Sequence, residues 1–324
     1  MNDQIFDTPP ANVQSDLSRL RRELDRIVPA IRDDNLLIAT WNIRGFGNLT
    51  KKWTNADGDS PQRNFHAIAC IAATLKRFDV IALQEVKGNI RALRYTLKLL
   101  GPDWGFLMTD VTAGDKGNGE RLAFLFNRTR VKPSGLAAEI VIPQDEGEEL
   151  AIPANAFQRQ FVRTPYAVSF LRGDKTFILV TLHVNYGDAA GDRIAELRAI
   201  ARWLKSWAKR TARFGHNLIA LGDFNIDRTG DELYEAFTST GLTTPPELDE
   251  GARTIFAKPG KPEKDKHYDQ IAWFTKASGV PHLSLEKLSA GAVHFKGQVM
   301  TDLSNTSLSW RMSDHVPLWV EFRC

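Results

Sequence analysis

Asp223 and Asn225 stand two residues apart, directly after a short apolar run, Leu218–Leu221, bounded by Asn217 and Gly222. Residues two apart in extended backbone point the same way. A carboxylate and an amide aimed together can hold a metal, a water or a phosphate. The same Gly-Asp-x-Asn string also serves as an Asx turn closing a strand. A polar residue at the end of an apolar run recurs along the chain. Asn42 follows Leu36–Trp41, Glu85 follows Val80–Leu83, and His183 follows Phe177–Leu182. Glu120 precedes Leu122–Phe126, and Arg163 precedes Tyr166–Leu171. Asp269 precedes Ile271–Phe274, and Asp314 with His315 precedes Leu318–Phe322. Taken singly, each fits a cap, a solvated turn or a packing residue. Taken together they are the groups that phosphoryl transfer uses. Carboxylates suit Mg2+, imidazoles move protons near neutral pH, and Arg and amide donors hold phosphate oxygens.

The apolar runs that carry these residues read as buried strands, because they are short, continuous and rich in branched residues. Tyr166–Leu171 and Phe177–Leu182 form a hairpin across Gly173-Asp174. Between the strands lie stretches with apolar residues at helical spacing, at about 62–77, 89–100 and 192–210. Strands alternating with helices and hairpins argue for a mixed α/β sandwich. Strand ends gather at one rim of such a fold, so the polar residues would converge in space. A further helix is expected from Ser15, capped by Ser15 or Asp16, with Leu17, Leu20, Leu24, Ile27, Val28 and Ile31 on its apolar face. It either docks on the main domain or mediates self-association. Residues 1–34 are thus expected to be an N-terminal extension, and 35–324, which show no composition shift, the catalytic domain.

With 43% hydrophobic and 25% charged residues, the chain has an ordinary globular composition,. No run is long and apolar enough for a membrane span, and Met1–Gln14 lacks the basic start and apolar stretch of a secretory signal. Two cysteines, Cys70 and Cys324, are too few for a disulfide framework and suit a reducing, cytoplasmic setting. The net charge of +3 is compatible with a polyanionic partner without requiring one,. The stretch 258–267 carries four lysines against two acids. It either follows a nucleic-acid backbone or is a solvated loop, and no aromatics interleave it for base stacking.

The strings Trp41-Asn42-Ile43-Arg44, Leu83-Gln84-Glu85-Val86, Leu182-His183-Val184, Gly222-Asp223-Phe224-Asn225, Tyr268-Asp269-Gln270-Ile271 and Ser313-Asp314-His315-Val316-Pro317, in this order, resemble the endonuclease/exonuclease/phosphatase superfamily. That resemblance covers about residues 35–324. It implies a four-layered α/β sandwich of two packed mixed β-sheets flanked by helices. Glu120-Arg121-Leu122-Ala123-Phe124-Leu125-Phe126 and Arg163-Thr164-Pro165 are similar to the pancreatic-type deoxyribonuclease branch. Abasic-site endonucleases carry another residue where His183 stands. Phosphoinositide phosphatases and sphingomyelinases share that histidine, so a phosphatase or sphingomyelinase-type phosphodiesterase is the alternative to a DNA endonuclease, and a catalytically dead binding module a further one.

The resemblance also implies roles. Glu85 would be the principal ligand for Mg2+ (Mn2+ or Ca2+ as alternatives), with Asn42 beside it and Asp314 assisting. His315 held by Asp269, and His183 held by Glu120, would be acid/base groups. Asp223 and Asn225 would position water and phosphate, and Arg44, Arg163 and Lys87 would contact the phosphate of a nucleic-acid substrate, DNA foremost. Lys87 stands where the deoxyribonucleases carry Arg, keeping the charge but not the planar fork. Unlike secreted deoxyribonucleases, the chain shows neither signal peptide nor disulfide framework.

Overall fold

The structure, a computed structural model, describes residues 4–112, 118–140, 163–186, 190–211, 217–258, 260–261, 265–280 and 282–324. Two six-stranded sheets face each other. The first runs, in spatial order, β11 (Glu286–Ala292), β12 (Leu318–Arg323), β1 (Asn35–Phe46), β2 (Val80–Lys87), β4 (Glu120–Asn127) and β3 (Trp104–Met108). The second runs β5 (Lys132–Glu139), β6 (Tyr166–Arg172), β7 (Lys175–His183), β8 (Asn217–Asp223), β10 (Asp269–Phe274) and β9 (Leu242–Thr243). Helices α1 (Ala11–Ile27), α2 (Phe65–Leu75) and α3 (Arg91–Leu100) share an apolar cluster with the first sheet. Helices α4 (Ala190–Thr211) and α5 (Glu232–Thr238) cover the second, and the short α6 (Asn305–Arg311) precedes β12. This is the four-layered sandwich expected from the sequence.

The uninterrupted apolar runs have a simple cause. Side chains alternate between the two faces of a strand, and here both faces are covered. In β7, Phe177 and Leu179 enter the core between the sheets, while Ile178, Val180 and Leu182 lie under the α4 and α5 layer. In β8, Ile219 and Leu221 face the inter-sheet core, and Leu218 and Ala220 face the helices. One polar link crosses that core near its upper end. Gln84 Nε2 on β2 donates to Thr181 Oγ1 on β7 at 2.8 Å and to Thr40 Oγ1 on β1 at 3.1 Å.

The pairing directions decide where the functional residues go. β1 and β2 are parallel, as are β7 and β8. β4, β10 and β12 run antiparallel to their neighbours β2, β8 and β1. The C-termini of β1, β2, β7 and β8 and the N-termini of β4, β6, β10 and β12 therefore share one rim.

Several details differ from the sequence expectation. α1 begins at Ala11 after Pro10, not at Ser15. Asp16 caps nothing: its carboxylate accepts from the Met300 amide at 2.7 Å and sits 3.1 Å from His66 Nε2. Val13, Leu17, Leu20, Leu24 and Val28 are buried, but the helix stops at Ile27 and Ile31 is exposed. α2 is shorter than the span 62–77, because the Asn64 side chain caps it by accepting from the Ala67 amide. The strands β3, β5, β9 and β11 and helices α5 and α6 carried no sequence expectation.

Gly222 shows why the chain needs glycine beside Asp223. Its φ is +141°, and a Cβ there would lie 2.2 Å from the Leu182 carbonyl oxygen. Gly222→Ala is expected to destabilise the protein by at least about 2 kcal/mol in urea unfolding. A change within about 0.5 kcal/mol, the scatter of ordinary surface substitutions, would mean that the close approach of β7 and β8 is misplaced.

Candidate active site

His183, Asp223 and Asp269 occupy one row across β7, β8 and β10. Side chains in one row project from the same face, here the face that carries Leu179, Ile219 and Ile271 into the inter-sheet core. The site is thus the polar end of that core. Asp223 is only 2% exposed. Its Oδ1 accepts from the Asn225 amide at 2.9 Å, and its Oδ2 accepts from Asn42 Nδ2, also at 2.9 Å. The second bond joins the two sheets. The same Oδ2 lies 3.6 Å from His183 Nε2 and 4.0 Å from His315 Nε2. Two imidazoles from opposite sheets therefore face one carboxylate oxygen.

Each imidazole is backed by a second carboxylate at its Nδ1. His315 Nδ1 is 2.6 Å from Asp269 Oδ2, and His183 Nδ1 is 3.2 Å from Glu120 Oε2. Burial disfavours the charged form of His315, but Asp269, Asp223 and Asp314 outweigh it and raise its pKa well above the usual value. Glu120 is 1% exposed. Arg163 Nε and Lys87 Nζ each approach it to 2.7 Å. Burial acts to raise the Glu120 pKa, yet His183, Arg163 and Lys87 together bring it down to about 2. Arg163 and Lys87, expected from the sequence to touch phosphate, here neutralise Glu120.

Glu85 follows Gln84 on β2. In register, Asn42 pairs with Gln84. A regular strand would point Glu85 away from the face Gln84 occupies, but its φ is +61°, a region non-glycine residues rarely adopt. Its Oε2 accepts from the Gly45 amide at 2.7 Å. Asn225 has φ +51°, and its Nδ2 donates to the Val184 carbonyl at 2.5 Å. Two of the expected site residues thus sit in strained backbone, as functional positions often do. Arg44 Nη1 donates to Ser309 Oγ at 2.8 Å and stands 3.8 Å from Asp314 Oδ2.

The donor set suits a hard divalent ion. Asn42 Oδ1 is buried with no hydrogen-bond partner, and the half-buried Glu85 follows Gln84, the register partner of Asn42. An amide oxygen with one or two carboxylates, the rest of the shell being water, is how Mg2+ is usually held. Among the described residues no three His, Cys, Asp or Glu side chains gather at metal-ligand spacing, the pattern that zinc would use. Asp314 turns toward Arg44.

No role was expected from the sequence for several supporting residues. Buried Arg63 donates to the carbonyls of Arg44, Gly45, Arg311 and Met312. Burial lowers its pKa to about 10, with Glu85 opposing, so it stays charged at neutral pH. Arg253 Nη1 donates to the Asp269 carbonyl at 2.7 Å, and Arg193 Nη1 to the Asn225 carbonyl at 2.9 Å. Ser313 Oγ donates to the Asn42 carbonyl and accepts from the Arg44 and His315 amides. Glu196 on α4 is pushed up to about 7 by burial, against the pull of Arg163 and His183. In the lysine-rich stretch, residues 259 and 262–264 lie outside the described residues. Lys266 is engaged with Asp227 at 3.1 Å.

The charge on Glu120 makes a pH prediction. Its folded pKa lies near 2, below the ordinary 4.5. Its stabilisation, about 3 kcal/mol from that shift, is complete above pH 4.5 and is lost as the pH falls through 2. The stability gap between wild type and Glu120→Gln should therefore narrow over that window in denaturant unfolding at stepped pH. A gap that stays constant would assign the effect to packing.

A family profile described as "Endonuclease/Exonuclease/phosphatase family" matches residues 39–299. The chain is similar to a "Deoxyribonuclease" of Thioalkalivibrio sp. (strain K90mix), 29% identical over 311 residues, covering 91% of this chain and 73% of that one. Among solved structures it is similar in fold to a Bacteroides thetaiotaomicron mannosyl-6-phosphatase (TM-score 0.59, 17% identity, 89% of this chain and 99% of that one). It is also similar in fold to D. rerio TDP2 complexed with single strand DNA product (TM-score 0.54, 16% identity, 90% and 99%). Because the family profile spans most of the chain, the protein belongs to the endonuclease/exonuclease/phosphatase family of metal-dependent phosphoester hydrolases.

Proposed function

We propose that the protein is an Mg2+-dependent deoxyribonuclease that cleaves internal phosphodiester bonds by in-line attack of water. The observation that carries this reading is the convergence of His183 Nε2 and His315 Nε2 on Asp223 Oδ2, within 3.6 and 4.0 Å. One carboxylate between two imidazoles, each fixed at Nδ1 by its own acid, can orient a water and move protons on both sides of a phosphate. The similarity to a deoxyribonuclease supports DNA as the substrate.

The chain's own residues divide the work. Asp223 orients the attacking water and accepts its hydrogen bond. His183 takes the water's proton at Nε2, with Glu120 stabilising the charge that results. The raised pKa of His315 makes it the donor at Nε2 to the leaving oxygen, with Asp269 fixing its ring. Arg44 holds a phosphate oxygen, and Asn225 helps place the scissile group. A divalent ion at Glu85 and Asn42 would neutralise phosphate charge there, with Mn2+ or Ca2+ as substitutes for Mg2+. Residues from 35 onward are the catalytic unit, and α1 is a brace on it. The free thiols of Cys70 and Cys324 support a reducing, cytoplasmic location.

Purified protein should nick supercoiled plasmid with Mg2+ and stop on EDTA addition, and Glu85→Ala should not nick. No nicking by wild type, with release of inorganic phosphate from a monoester panel instead, would move the activity to the phosphatase class. His183→Ala and His315→Ala should each lower kcat by roughly 100- to 10,000-fold with the fold intact by circular dichroism. Variants that retain wild-type kcat would remove the acid/base assignment.

A further inference from the structure

Two large side chains stand exposed at the mouth of this site, one from each sheet's rim. Tyr186, just after β7, is 53% exposed, and Trp310, on α6 before β12, is 49% exposed. Single exposed rings are ordinary, and Phe6 and Phe106 are exposed too; Trp310 and Tyr186 are set apart by their neighbours. Each is backed by an arginine tied into the site. Arg44 Cζ lies 3.8 Å from the Trp310 ring centroid, and Arg44 itself contacts Ser309 and Asp314. Arg193 Cζ lies 4.5 Å from the Tyr186 ring centroid, and Arg193 donates to the carbonyl of Asn225. Tyr186 also meets Tyr268 edge-on at 6.2 Å, and Tyr268 in turn lies against the His315 imidazole at 5.7 Å. The arginines fix the orientation of both rings and leave the remaining ring surface open to solvent.

We propose that Trp310 and Tyr186 are stacking platforms for nucleobases flanking the scissile phosphate, and that the substrate is therefore a strand with unpaired bases. The proposal rests on the nuclease reading above and sharpens its substrate. Bases inside a duplex have both faces covered by their neighbours. Only an unpaired or terminal base has a face to offer a protein ring, and such stacking tolerates any base because every base has one. Trp310 is linked to the site through Arg44 and Asp314, and Tyr186 through Tyr268 to His315 and through Arg193 to the Asn225 carbonyl. A strand crossing this site would bring its phosphate past Arg44 and the catalytic groups, and its adjoining bases onto the rings.

The test compares wild type, Trp310→Ala, Tyr186→Ala, Trp310→Phe and Tyr186→Phe, all as the full chain with Mg2+. The substrates are a labelled single strand, the same sequence as duplex, and an abasic strand of equal length. Wild type should cleave the single strand with a lower KM than the duplex. Each alanine variant should raise KM for the base-bearing strand roughly tenfold, with kcat little changed. Each phenylalanine variant should recover most of the loss, and the effect should vanish on the abasic strand. Unchanged KM in the alanine variants, or an equal rise on the abasic strand, overturns the platforms while leaving the nuclease reading intact. Failure of wild type to cleave any of the three strands overturns both.

Discussion

A buried carboxylate is stable only when something of opposite charge or a hydrogen-bond donor meets it, and removing one partner from such a pair costs several kcal/mol. Glu120, Asp223 and Asp269 are each 2% exposed or less. Between them they take contacts from Arg163, Lys87, His183, His315, Asn42 and the Asn225 amide. Those contacts orient the side chains of the candidate site and at the same time allow the rim of the fold to exist. Site and scaffold are therefore the same set of interactions. A substitution at Glu120 or Asp269 should be read in stability as well as in rate.

The location of this charged layer follows from the strands beneath it. Along the inner face, β8 reads Ile219, Leu221, Asp223, and β7 reads Leu179, Thr181, His183. β10 reads Trp273, Ile271, Asp269 toward the same end. Each sequence passes from apolar to polar over one or two steps of the period-2 pattern. The Gln84–Thr181–Thr40 link occupies the transition layer. Below it the core is dry and apolar, while above it carboxylates gain partners and one open side. Burial opposes the charge on Glu120, and its contacts with His183, Arg163 and Lys87 outweigh it, holding the carboxyl near a pKa of 2.

This organisation explains what could be read from sequence. The strand-end residues stood out because doubly covered strands are continuous apolar runs, and a charge after such a run is conspicuous. The edge strands lacked that contrast. β5, Lys132–Glu139, is mostly exposed and contains Pro133 and Gly135, so neither period 2 nor an apolar run marks it. β11 is half-exposed along nearly its whole length. Buried arginines were silent for a different reason. Arg63, Arg193 and Arg253 satisfy backbone carbonyls contributed by distant segments, and a guanidinium's partner carbonyls leave no trace in the string of letters. Asp16 misled for the same reason: its position invited an N-cap, and its partners, Met300 and His66, are remote.

Arg63 also resolves how two clusters on different loops act as one site. Its guanidinium gathers the carbonyls of Arg44 and Gly45 with those of Arg311 and Met312. The Gly45 amide fixes Glu85, and Ser313, next after Met312, fixes the His315 amide and the Asn42 carbonyl. The Glu85 side and the His315 side are thus referred to a single buried cation. The Gly45 amide holds the Glu85 carboxylate and Arg63 holds the Gly45 carbonyl, contacts that help offset a strain of order 1–3 kcal/mol at the positive φ of Glu85,. A lysine at position 63 would supply the charge but not the planar fork that reaches four carbonyls at once. The spacing between Glu85 and His315 is set there, in a buried arginine hydrogen-bonded to backbone carbonyls.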